Sequence, residues 1–217
     1  MPRLRAHNIS MSVDGYMAGA DQGLDTPLGV RGDELHTWAL ATRTFGWMLG
    51  NAGAGTTGLD DDMAKRGDVG VGATIMGRNM FGPVRGAWGG SDWRGWWGDE
   101  PPYHHPVFVL THHAHDPIEM AGGTTFHFVT DGIEAAYEQA FAAAGGLDVR
   151  LGGGASAIRQ YLRAGLLDEL HLAIVPMLLG DGERPFDGGF GGLDVYDVVD
   201  HVSSDAVTHV RIERRAR

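Results

Sequence analysis

The sequence predicts an α/β fold with a mostly parallel central sheet, an antiparallel edge formed by the C-terminal strands, and helices on both faces. Short apolar segments typical of buried strands alternate with segments of helical periodicity through the middle of the chain. The last two strand segments, 195–199 and 207–213, follow each other with no helix between them. Residues 207–213 alternate apolar and polar side chains, as a strand with one wet face does.

Composition limits the class of protein. The chain has 217 residues, which predicts a single domain over residues 1–217. A formal net charge of −11 argues against binding to nucleic acid or to an anionic membrane. The absence of cysteine excludes disulfides, thiol nucleophiles and thiolate metal sites. The sequence has no signal-peptide core and no apolar run of membrane-spanning length, so it predicts a cytoplasmic protein.

The first third of the chain combines a strand with helical segments. Residues 4–11 are a plausible strand, and residues 12–19 follow as a loop with Asp-Gly turn chemistry. A helix is predicted to begin at Gly32, and a short second helix is predicted at 59–65. The apolar stripe of the first helix comprises Leu35, Trp38, Thr42, Phe45 and Leu49.

The middle of the chain holds three strands and an irregular excursion. Segment 69–76 is a buried-strand candidate that turns into a short helix at 77–81, and segments 106–111 and 125–130 are further strands. Residues 82–105 are rich in glycine and irregular, so we predict an insertion loop and not a separate domain. Its four tryptophans need cover from the protein's own core, a partner or a ligand; they are Trp88, Trp93, Trp96 and Trp97.

A third helical segment follows these strands. Asp131 is predicted to cap it, with Glu134 as the capping-box partner, and a pair of glycines is predicted to end it. The pattern then predicts a strand at 146–151, a helix at 156–164 and a buried strand at 170–176.

Three consecutive glycines, Gly152 to Gly154, connect a predicted strand to a predicted helix. Glycine lets a ligand approach the backbone closely, and the first amides of a helix point outward without internal partners. Such a turn is typical of sites for phosphate or another anion. A plain tight turn is the alternative, because glycine is abundant in this chain (35 of 217 residues).

Four loops are predicted to meet at one edge of the sheet. Each follows the carboxyl end of a predicted strand, which is where ligands bind in α/β sheets. The loops are the glycine turn at 152–154, the Gly77-Arg78 turn, the strand end at Thr111, and the Asp14-Gly15 loop.

Several motifs appear in an order that resembles a known family. They are Ser12-Val13-Asp14-Gly15-Tyr16, Ile75 to Phe81, Pro106 to Thr111, Gly152 to Gly154, Leu167 to Leu170, Gly180-Asp181-Gly182, and Phe186. In this order they resemble the dihydrofolate-reductase-like superfamily. Within it they are similar to the reductase domain of bifunctional riboflavin-biosynthesis deaminase-reductases and to the stand-alone relatives of that domain. The motifs span nearly the whole chain and are specific for the three-layer fold and for NADPH binding, not for the substrate.

The resemblance implies a set of residues that bind NADPH. Residues 152–155 would hold the pyrophosphate on backbone amides, and Arg78 would meet the adenosine 2′-phosphate. Thr111 and His112 would line the adenosine, and the loop at 12–19 would lie against the nicotinamide. The implied cofactor-binding residues are Ser12, Gly19, Gly77, Arg78, Asn79, Thr111, His112, Gly152, Gly153, Gly154, Ala155 and Ser156.

The resemblance also implies a substrate pocket and a homodimer. Tyr16, Trp38 and Phe186 would border the substrate. Asp14 is the candidate catalytic residue, because a carboxylate there would orient water or a substrate group near the hydride. The alternative is that Asp14 only forms the turn before Gly15.

Two departures from the family pattern limit the substrate assignment. The deaminase half, with its zinc ligands, is absent from this sequence, so a role in riboflavin synthesis is not implied. Dihydrofolate reductase proper holds the pterin with an acid on its first long helix. That segment carries Glu34 at its start and then His36, Thr37, Thr42 and Arg43, with no clear equivalent.

Histidines cluster in two places, at His104-His105 and from His112 to His115. Adjacent histidines rarely converge on one metal ion without a spaced third ligand, so we expect no metal site.

The sequence as a whole predicts an NADPH-dependent reductase that transfers hydride to a polarised C=N or C=O bond of a small molecule. A pterin-like, pyrimidine-like or riboflavin-precursor-like heterocycle, or a small carbonyl compound, would be its substrate. Two alternatives stay open: a nucleotide-binding module without turnover, and dihydrofolate reductase proper.

Overall fold

The computed structural model of the chain describes residues 1–48, 50–51, 53–83, 86–88, 92–188 and 193–215. The strands within them are β1 (Leu4–Ser12), β2 (Val71–Gly77), β3 (Pro106–Leu110), β4 (Ile118–Glu119), β5 (Thr125–Val129), β6 (Asp148–Gly153), β7 (Glu169–Val175), β8 (Tyr196–Ser203) and β9 (Thr208–Arg214). They form one sheet in the order β4-β5-β3-β2-β6-β1-β7-β9-β8.

The sheet is parallel through its centre and antiparallel at its C-terminal edge, which confirms the predicted fold class. β1 pairs in parallel with β6 and β7, and β2 pairs in parallel with β3 and β6. β9 runs antiparallel to both β7 and β8. At the other edge β4 adds an antiparallel pair of two residues to β5. This pair was not predicted, because two residues are too few to show a period.

Helices cover both faces of the sheet. They are α1 (Thr37–Leu40), α2 (Arg43–Met48), α3 (Leu59–Arg66), α4 (Arg78–Phe81), α5 (Gly132–Ala143) and α6 (Ala155–Arg163). Two successive residues of β7 show the two faces, because side chains along a strand point alternately to opposite faces of the sheet. Leu172 packs in the large cluster that includes the apolar residues of α5 and α6. Ala173 packs in a second cluster, with residues of α1 and α3.

The helix predicted from Gly32 onward is not continuous. A 3-10 turn, Gly32–His36, leads into α1, and Thr42 separates α1 from α2. The Thr42 hydroxyl donates to the carbonyl of Ala39 at 2.6 Å and accepts from the amide of Phe45 at 3.3 Å. A β-bridge from Thr42 to Thr56 also occupies this position. Threonine competes in this way with helical hydrogen bonding, and apolar spacing alone cannot reveal it.

Two other details concern the helix ends. Leu49, the last residue of the predicted stripe, lies outside the described residues. Asp131 precedes α5, but its side chain makes no capping hydrogen bond, so the predicted capping box is wrong. With φ of −91° and ψ of 16°, Asp131 lacks the extended backbone that an N-cap residue normally has.

The tryptophan-rich excursion covers apolar surface of the protein itself. Trp88, Trp93 and Trp97 pack against a cluster that contains Phe81 and Phe126. The indole of Trp88 donates to the carbonyl of His113 at 2.9 Å, and that of Trp93 donates to the carbonyl of Phe81 at 3.0 Å. The sequence left open whether the core, a partner or a ligand covers these tryptophans. In the described residues, the protein's own core covers these three.

A buried polar network crosses the second face of the sheet. Nε2 of His7 lies 2.7 Å from Oε1 of Glu169, and this carboxylate also pairs with Arg3 and Arg211. Burial alone would raise the pKa of Glu169, but the hydrogen bond from His7 and the charges of the two arginines outweigh it and lower the pKa to about 2. The carboxylate therefore stays ionised, and His7 contributes a neutral N–H donor, because burial lowers the pKa of His7.

Two more buried histidines continue this network toward α3. The amide of Asn8 donates to Nδ1 of His171 at 3.2 Å, so the proton of the neutral ring is on Nε2. That Nε2 lies 3.0 Å from Nδ1 of His209, and Nε2 of His209 lies 3.0 Å from Oδ1 of Asp60. One arrangement of protons satisfies all three contacts, with each N–H pointing toward Asp60.

Candidate active site

A cavity of about 450 Å³ lies at the carboxyl ends of β2, β3 and β6. The turns after these strands supply one end of its wall, as the sequence predicted for this edge of the sheet. Most residues predicted to bind a cofactor line it, namely Gly77, Arg78, Asn79, Thr111, His112, Gly152, Gly153, Gly154, Ala155 and Ser156.

The glycine turn places helix amides in the wall of the cavity. Gly153 and Gly154 have φ of 133° and 80°, which glycine adopts at little cost. α6 begins at Ala155, and the first helical hydrogen bond runs from the amide of Ile158 to the carbonyl of Gly154 at 3.1 Å. The amides of Ala155 and Ser156 therefore have no helical acceptor and lie at the positive end of the helix dipole. An anionic group in the cavity would meet these donors.

Arg78 brings a fixed positive charge to the same cavity. It follows β2 directly, and its Nη1 donates to the hydroxyl of Thr111 at 2.8 Å. Nη2 donates to the carbonyl of Gly86 at 3.3 Å, and the guanidinium carbon lies 3.2 Å from the ring centroid of Trp88. These contacts hold the guanidinium in one orientation. A guanidinium fixed in this way can donate hydrogen bonds to the oxygens of a phosphate.

The wall beside Arg78 comes from the segment after β3. The Thr111 hydroxyl accepts a hydrogen bond from the amide of His113 at 3.1 Å, and it thereby links the Arg78 side chain to this segment. His112 and His113 both line the cavity, together with Thr130 at the end of β5.

The remaining part of the cavity wall comes from the loop after β1, from the segment around the 3-10 turn and from the loop after β7. Met17 and Ala18 belong to the loop at 12–19 that was expected to lie against the nicotinamide, whereas the other lining residues of this part were not predicted to bind a ligand; they are Gln22, Pro27, Leu28, His36 and Glu183. An isolated β-bridge joins Ala18 to Glu183 and so brings the loop after β1 against the loop after β7. No local pattern in the sequence signals a contact between residues so far apart.

His36 gives this part of the cavity wall a neutral hydrogen-bond acceptor. Nδ1 of His36 lies 3.2 Å from the carbonyl oxygen of Gly32, which can only accept, so the ring proton is on Nδ1. Burial lowers the pKa of His36, and the imidazole is therefore neutral near pH 7. Nε2 then presents a lone pair. Glu34, the acid at the start of this segment, instead pairs with Arg31 at the surface at 2.8 Å.

Asp14 does not line the cavity. Its carboxylate accepts hydrogen bonds from the hydroxyl of Ser12 at 2.6 Å and from the amides of Leu179 and Gly180 at 3.0 and 2.8 Å. The hydrogen bond from Ser12, followed by the one from the Leu179 amide, lowers the pKa of Asp14 to about 2. Asp14 is therefore a carboxylate that ties the loop after β1 to the loop after β7. Its catalytic role stays a prediction, and these contacts favour the alternative of a structural turn residue.

Other predicted site residues also lie outside the cavity wall. Trp38 is buried and its indole donates to the Ser10 hydroxyl at 2.9 Å. The Tyr16 hydroxyl accepts from Arg184 at 2.6 Å. Ser12, Gly19 and Phe186 are likewise not among the lining residues.

The Gly180-Asp181-Gly182 loop offers a test of how tightly the two loops are packed. A Cβ on Gly182 would lie 2.0 Å from the carbonyl oxygen of Ala18, whereas a Cβ on Gly180 would meet nothing within 4 Å. Both residues have positive φ. We expect Gly182→Ala to lower the free energy of unfolding by about 2 kcal/mol more than Gly180→Ala, as measured by urea denaturation. Equal losses for the two variants would mean that only φ matters and that the close approach to Ala18 is absent.

The histidine clusters do not converge. His104 Nδ1 lies 2.8 Å from the carbonyl of Gly122, and His105 Nε2 lies 2.8 Å from the Thr74 hydroxyl. The His115 ring packs against Trp88. Over the described parts of the chain, no group of three or more His, Asp or Glu side chains is arranged to hold a metal ion. In those same parts, no helix is both long enough and apolar enough to cross a membrane.

Solved structures with the same fold come from reductases and their relatives. A protein from Shewanella sp. PV-4 named for riboflavin biosynthesis is 20% identical, with a TM-score of 0.63 and full coverage of both chains. The deaminase/5-amino-6-(5-phosphoribosylamino)uracil reductase of Thermotoga maritima is 14% identical over 98% of this chain, with a TM-score of 0.57. This chain spans only 56% of that bifunctional protein. Dihydrofolate reductase from Enterococcus faecalis, complexed with NADP(H), is 13% identical with a TM-score of 0.50, and the match covers 99% of this chain and 97% of that one.

At the level of sequence the match is to a family and not to an individual protein. No curated protein sequence matches the chain significantly. The sequence profile of the RibD C-terminal domain matches residues 6–198, which is most of the chain and includes the glycine turn and Arg78. The chain therefore belongs to the RibD C-terminal domain family.

Proposed function

We propose that the protein is an NADPH-dependent reductase of a small heterocyclic or carbonyl substrate, and that residues 1–217 form one reductase domain. The observation that carries the proposal is the meeting of two anion-binding elements in one cavity. Ala155 and Ser156, whose amides have no helical acceptor, line the same cavity as Arg78 with its guanidinium. Two separate sites for negative charge suit a dinucleotide with an additional 2′-phosphate.

The residues present fit NADPH. A Cβ on Gly152 would lie 3.2 Å from Met80, and a Cβ on Gly77 would lie 3.4 Å from the carbonyl of Gly153, so both glycines keep the strand ends close together. The amides of Ala155 and Ser156 would hold the pyrophosphate, and Arg78 would hold the 2′-phosphate. Thr111 and His112 would border the adenosine. When bound, the cofactor supplies hydride; the protein supplies position and electrostatics.

Two polar side chains of the cavity wall support binding of a neutral heterocycle. Nε2 of His36 is an acceptor for a ring N–H or an amide N–H of the substrate. Glu183, which lines the same cavity, offers a carboxylate for an exocyclic amino group. An acceptor and a carboxylate in one cavity match the donor-rich edge of an aminopyrimidine or a pterin better than they match a simple aldehyde.

The first experiment is titration of the protein with NADPH and NADH. Energy transfer from tryptophan to the nicotinamide reports binding, because Trp88 lies directly against Arg78. Preferential binding of NADPH, followed by its oxidation in the presence of an aminopyrimidine, a pterin or a small carbonyl compound, supports the proposal. Binding without oxidation by any of them favours a nucleotide-binding module without turnover. No binding of either nucleotide contradicts the proposal.

His36 can be tested once a substrate is identified. We expect His36→Phe, which keeps a ring of similar size but removes the acceptor, to lower kcat/KM about tenfold. The Kd for NADPH is expected to stay unchanged, because the proposed contacts with NADPH come from Arg78 and the amides of Ala155 and Ser156 and not from His36. His36→Gln restores an acceptor and is expected to recover part of the loss. An unchanged kcat/KM in His36→Phe would remove His36 from the substrate site.

Dihydrofolate reductase proper is less well supported. Glu34 is held by Arg31 at the surface, and His36 faces the cavity in its place. Weak binding of an antifolate such as methotrexate would agree with this. A cytoplasmic location and a homodimer are further parts of the proposal, and both come from the family resemblance.

A further inference from the structure

A second cavity, of about 480 Å³, lies at the end of the sheet opposite the glycine turn. Its walls include Val71 and Gly72 at the start of β2 and His104 and His105 just before β3. It shares no lining residue with the first cavity within the described parts of the chain. We propose that this second cavity binds a small aromatic monocarboxylate, which is a ligand site separate from the nucleotide cavity.

A desolvated arginine supplies the positive charge. Arg150 projects from β6, and its Nη1 donates to Oδ1 of Asp68. Nε of Arg150 is buried and has no hydrogen-bond partner among the described residues. Nε and Nη2 form the side-on fork of a guanidinium, which matches the two oxygens of a carboxylate. Asp68 has engaged Nη1, and the enclosed Nε lacks an acceptor among the described residues, which a carboxylate at this side of the guanidinium would supply.

Two further polar groups line the cavity together with Arg150. They are Tyr103 and His105, and the charges of Arg150 and Asp68 act on the pKa of both. The Tyr103 hydroxyl makes no hydrogen bond to any described residue, so it is a donor without an acceptor. His105 uses Nε2 for the Thr74 hydroxyl at 2.8 Å. Burial, reinforced by the charge of Arg150, lowers the pKa of His105 to about 4, so His105 adds no positive charge at neutral pH.

The donors in this wall suit a carboxylate. Asp68 pairs with Arg150 and offsets part of its charge, so the proposed ligand needs only one anionic group. A carboxylate can accept hydrogen bonds from Arg150 and from the Tyr103 hydroxyl.

The remaining wall is apolar and aromatic. Trp47 is 63% exposed and lines the cavity with Met48, Pro102 and Leu147. An indole that exposed, beside a buried cation, can stack on a flat ring whose carboxylate reaches the cation. The volume is within the range of small-molecule sites and suits a ligand of one or two rings.

The test uses benzoate, with its neutral isostere benzamide as the comparison. Each is added to the full-length, ¹⁵N-labelled protein, and the indole N–H signals are followed by NMR; Trp47→Phe assigns the Trp47 signal. We expect benzoate to shift the Trp47 signal with a Kd in the millimolar range or tighter, and benzamide to bind at least tenfold more weakly. The Trp88 signal, which reports on the nucleotide cavity, is expected to stay in place.

Two variants separate the proposed contacts from general damage to the fold. Tyr103→Phe removes only the hydroxyl and is expected to weaken benzoate binding about threefold to tenfold. Arg150→Met is expected to abolish it, while the rest of the NMR spectrum and the Kd for NADPH show that the fold is intact. Equal binding of benzamide and benzoate, no shift at Trp47, or unchanged binding in Tyr103→Phe would overturn the proposal. None of these outcomes depends on whether the protein is a reductase, because NADPH binding is measured at the other cavity.

Discussion

Replacing Arg78 by alanine is expected to weaken NADPH binding about 10- to 100-fold and to leave NADH binding nearly unchanged. Hydrogen bonds between a guanidinium and a phosphate contribute about 1.5–3 kcal/mol, and each 1.4 kcal/mol corresponds to a tenfold change in Kd. NADH lacks the 2′-phosphate, so it has no group for Arg78 to recognise. The measurement is the Kd of each nucleotide by isothermal titration calorimetry, for the wild-type protein and for the variant.

Two additional variants show whether the charge or its orientation matters. Thr111→Val removes the hydroxyl that accepts from Nη1 of Arg78 at 2.8 Å but keeps the charge. We expect it to have an intermediate effect on NADPH. Arg94→Ala is the matched control, because Arg94 contacts the carbonyl of Glu119 and does not line the cavity. Equal weakening of NADPH and NADH in Arg78→Ala would show that Arg78 supports the cavity in general and not the 2′-phosphate.

Sequence patterns predicted the part of the candidate site that is built by local turns. The glycine turn and Arg78 each follow a strand directly, so identifying the strand was enough to place the residue at the carboxyl edge of the sheet. The fold class follows in the same way from the alternation of strands and helices. The charge and backbone chemistry of these turns are local properties, which a sequence displays.

The remaining part of the cavity wall depends on contacts that no local pattern displays. Ala18 meets Glu183 through an isolated β-bridge, and His36 reaches the cavity from a 3-10 turn that interrupts the predicted helix. Neither the bridge nor the turn has a periodic signature. The loop at 12–19 was expected near the nicotinamide, and Met17 and Ala18 do line the cavity, but His36 and Glu183 were not predicted to lie there.

Trp38 illustrates the limit of periodicity. Its place in the apolar stripe correctly indicated a buried side chain, but not what the side chain would be buried against. The structure packs it beside His209 and hydrogen-bonds it to Ser10, within the protein's own polar network. Asp14 is similar, because its Asp-Gly context is equally compatible with a turn and with a catalytic carboxylate.

The buried histidines of this network lead to a second large expected effect: the protein should lose stability on mild acidification. Burial lowers the pKa of both His7 and His171, with the pKa of His171 at about 2. Both values lie below the unfolded value of about 6.5, so the unfolded state binds more protons than the folded state below that pH. The stability due to neutral histidines is therefore complete above pH 6.5 and decreases as the pH is lowered. Protonation of the unfolded state at His171 alone should cost about 1.7 kcal/mol of stability between pH 6.5 and 5, and His7 adds to this loss in the same direction.

Burial is the main reason why the pKa of His171 is low, and the hydrogen bonds of the ring also leave no free position for a second proton. Its Nδ1 accepts from the Asn8 amide, and its Nε2–H points at His209, so a second proton would have to displace a backbone donor. Glu169 also loses its stabilising effect on acidification, but in a lower pH range. Its pKa of about 2 lies below the unfolded value, so its stabilising effect is present above pH 4.5 and decreases only below it. The loss of stability between pH 6.5 and 5 is therefore assigned to histidine and not to this carboxylate.

Urea denaturation at constant ionic strength from pH 5 to 8 measures the effect. His171→Gln is expected to lower the free energy of unfolding at pH 7, and its slope against pH below 6.5 should be smaller than that of the wild type by about 1.4 kcal/mol per pH unit, the equivalent of one proton. His201→Gln, at an exposed position of β8, controls for the loss of a histidine as such. A wild-type slope in His171→Gln would mean that His171 is accessible to protons in the folded state. The relay from Asn8 through His171 and His209 to Asp60 would then not hold its protons in the arrangement that the hydrogen bonds require.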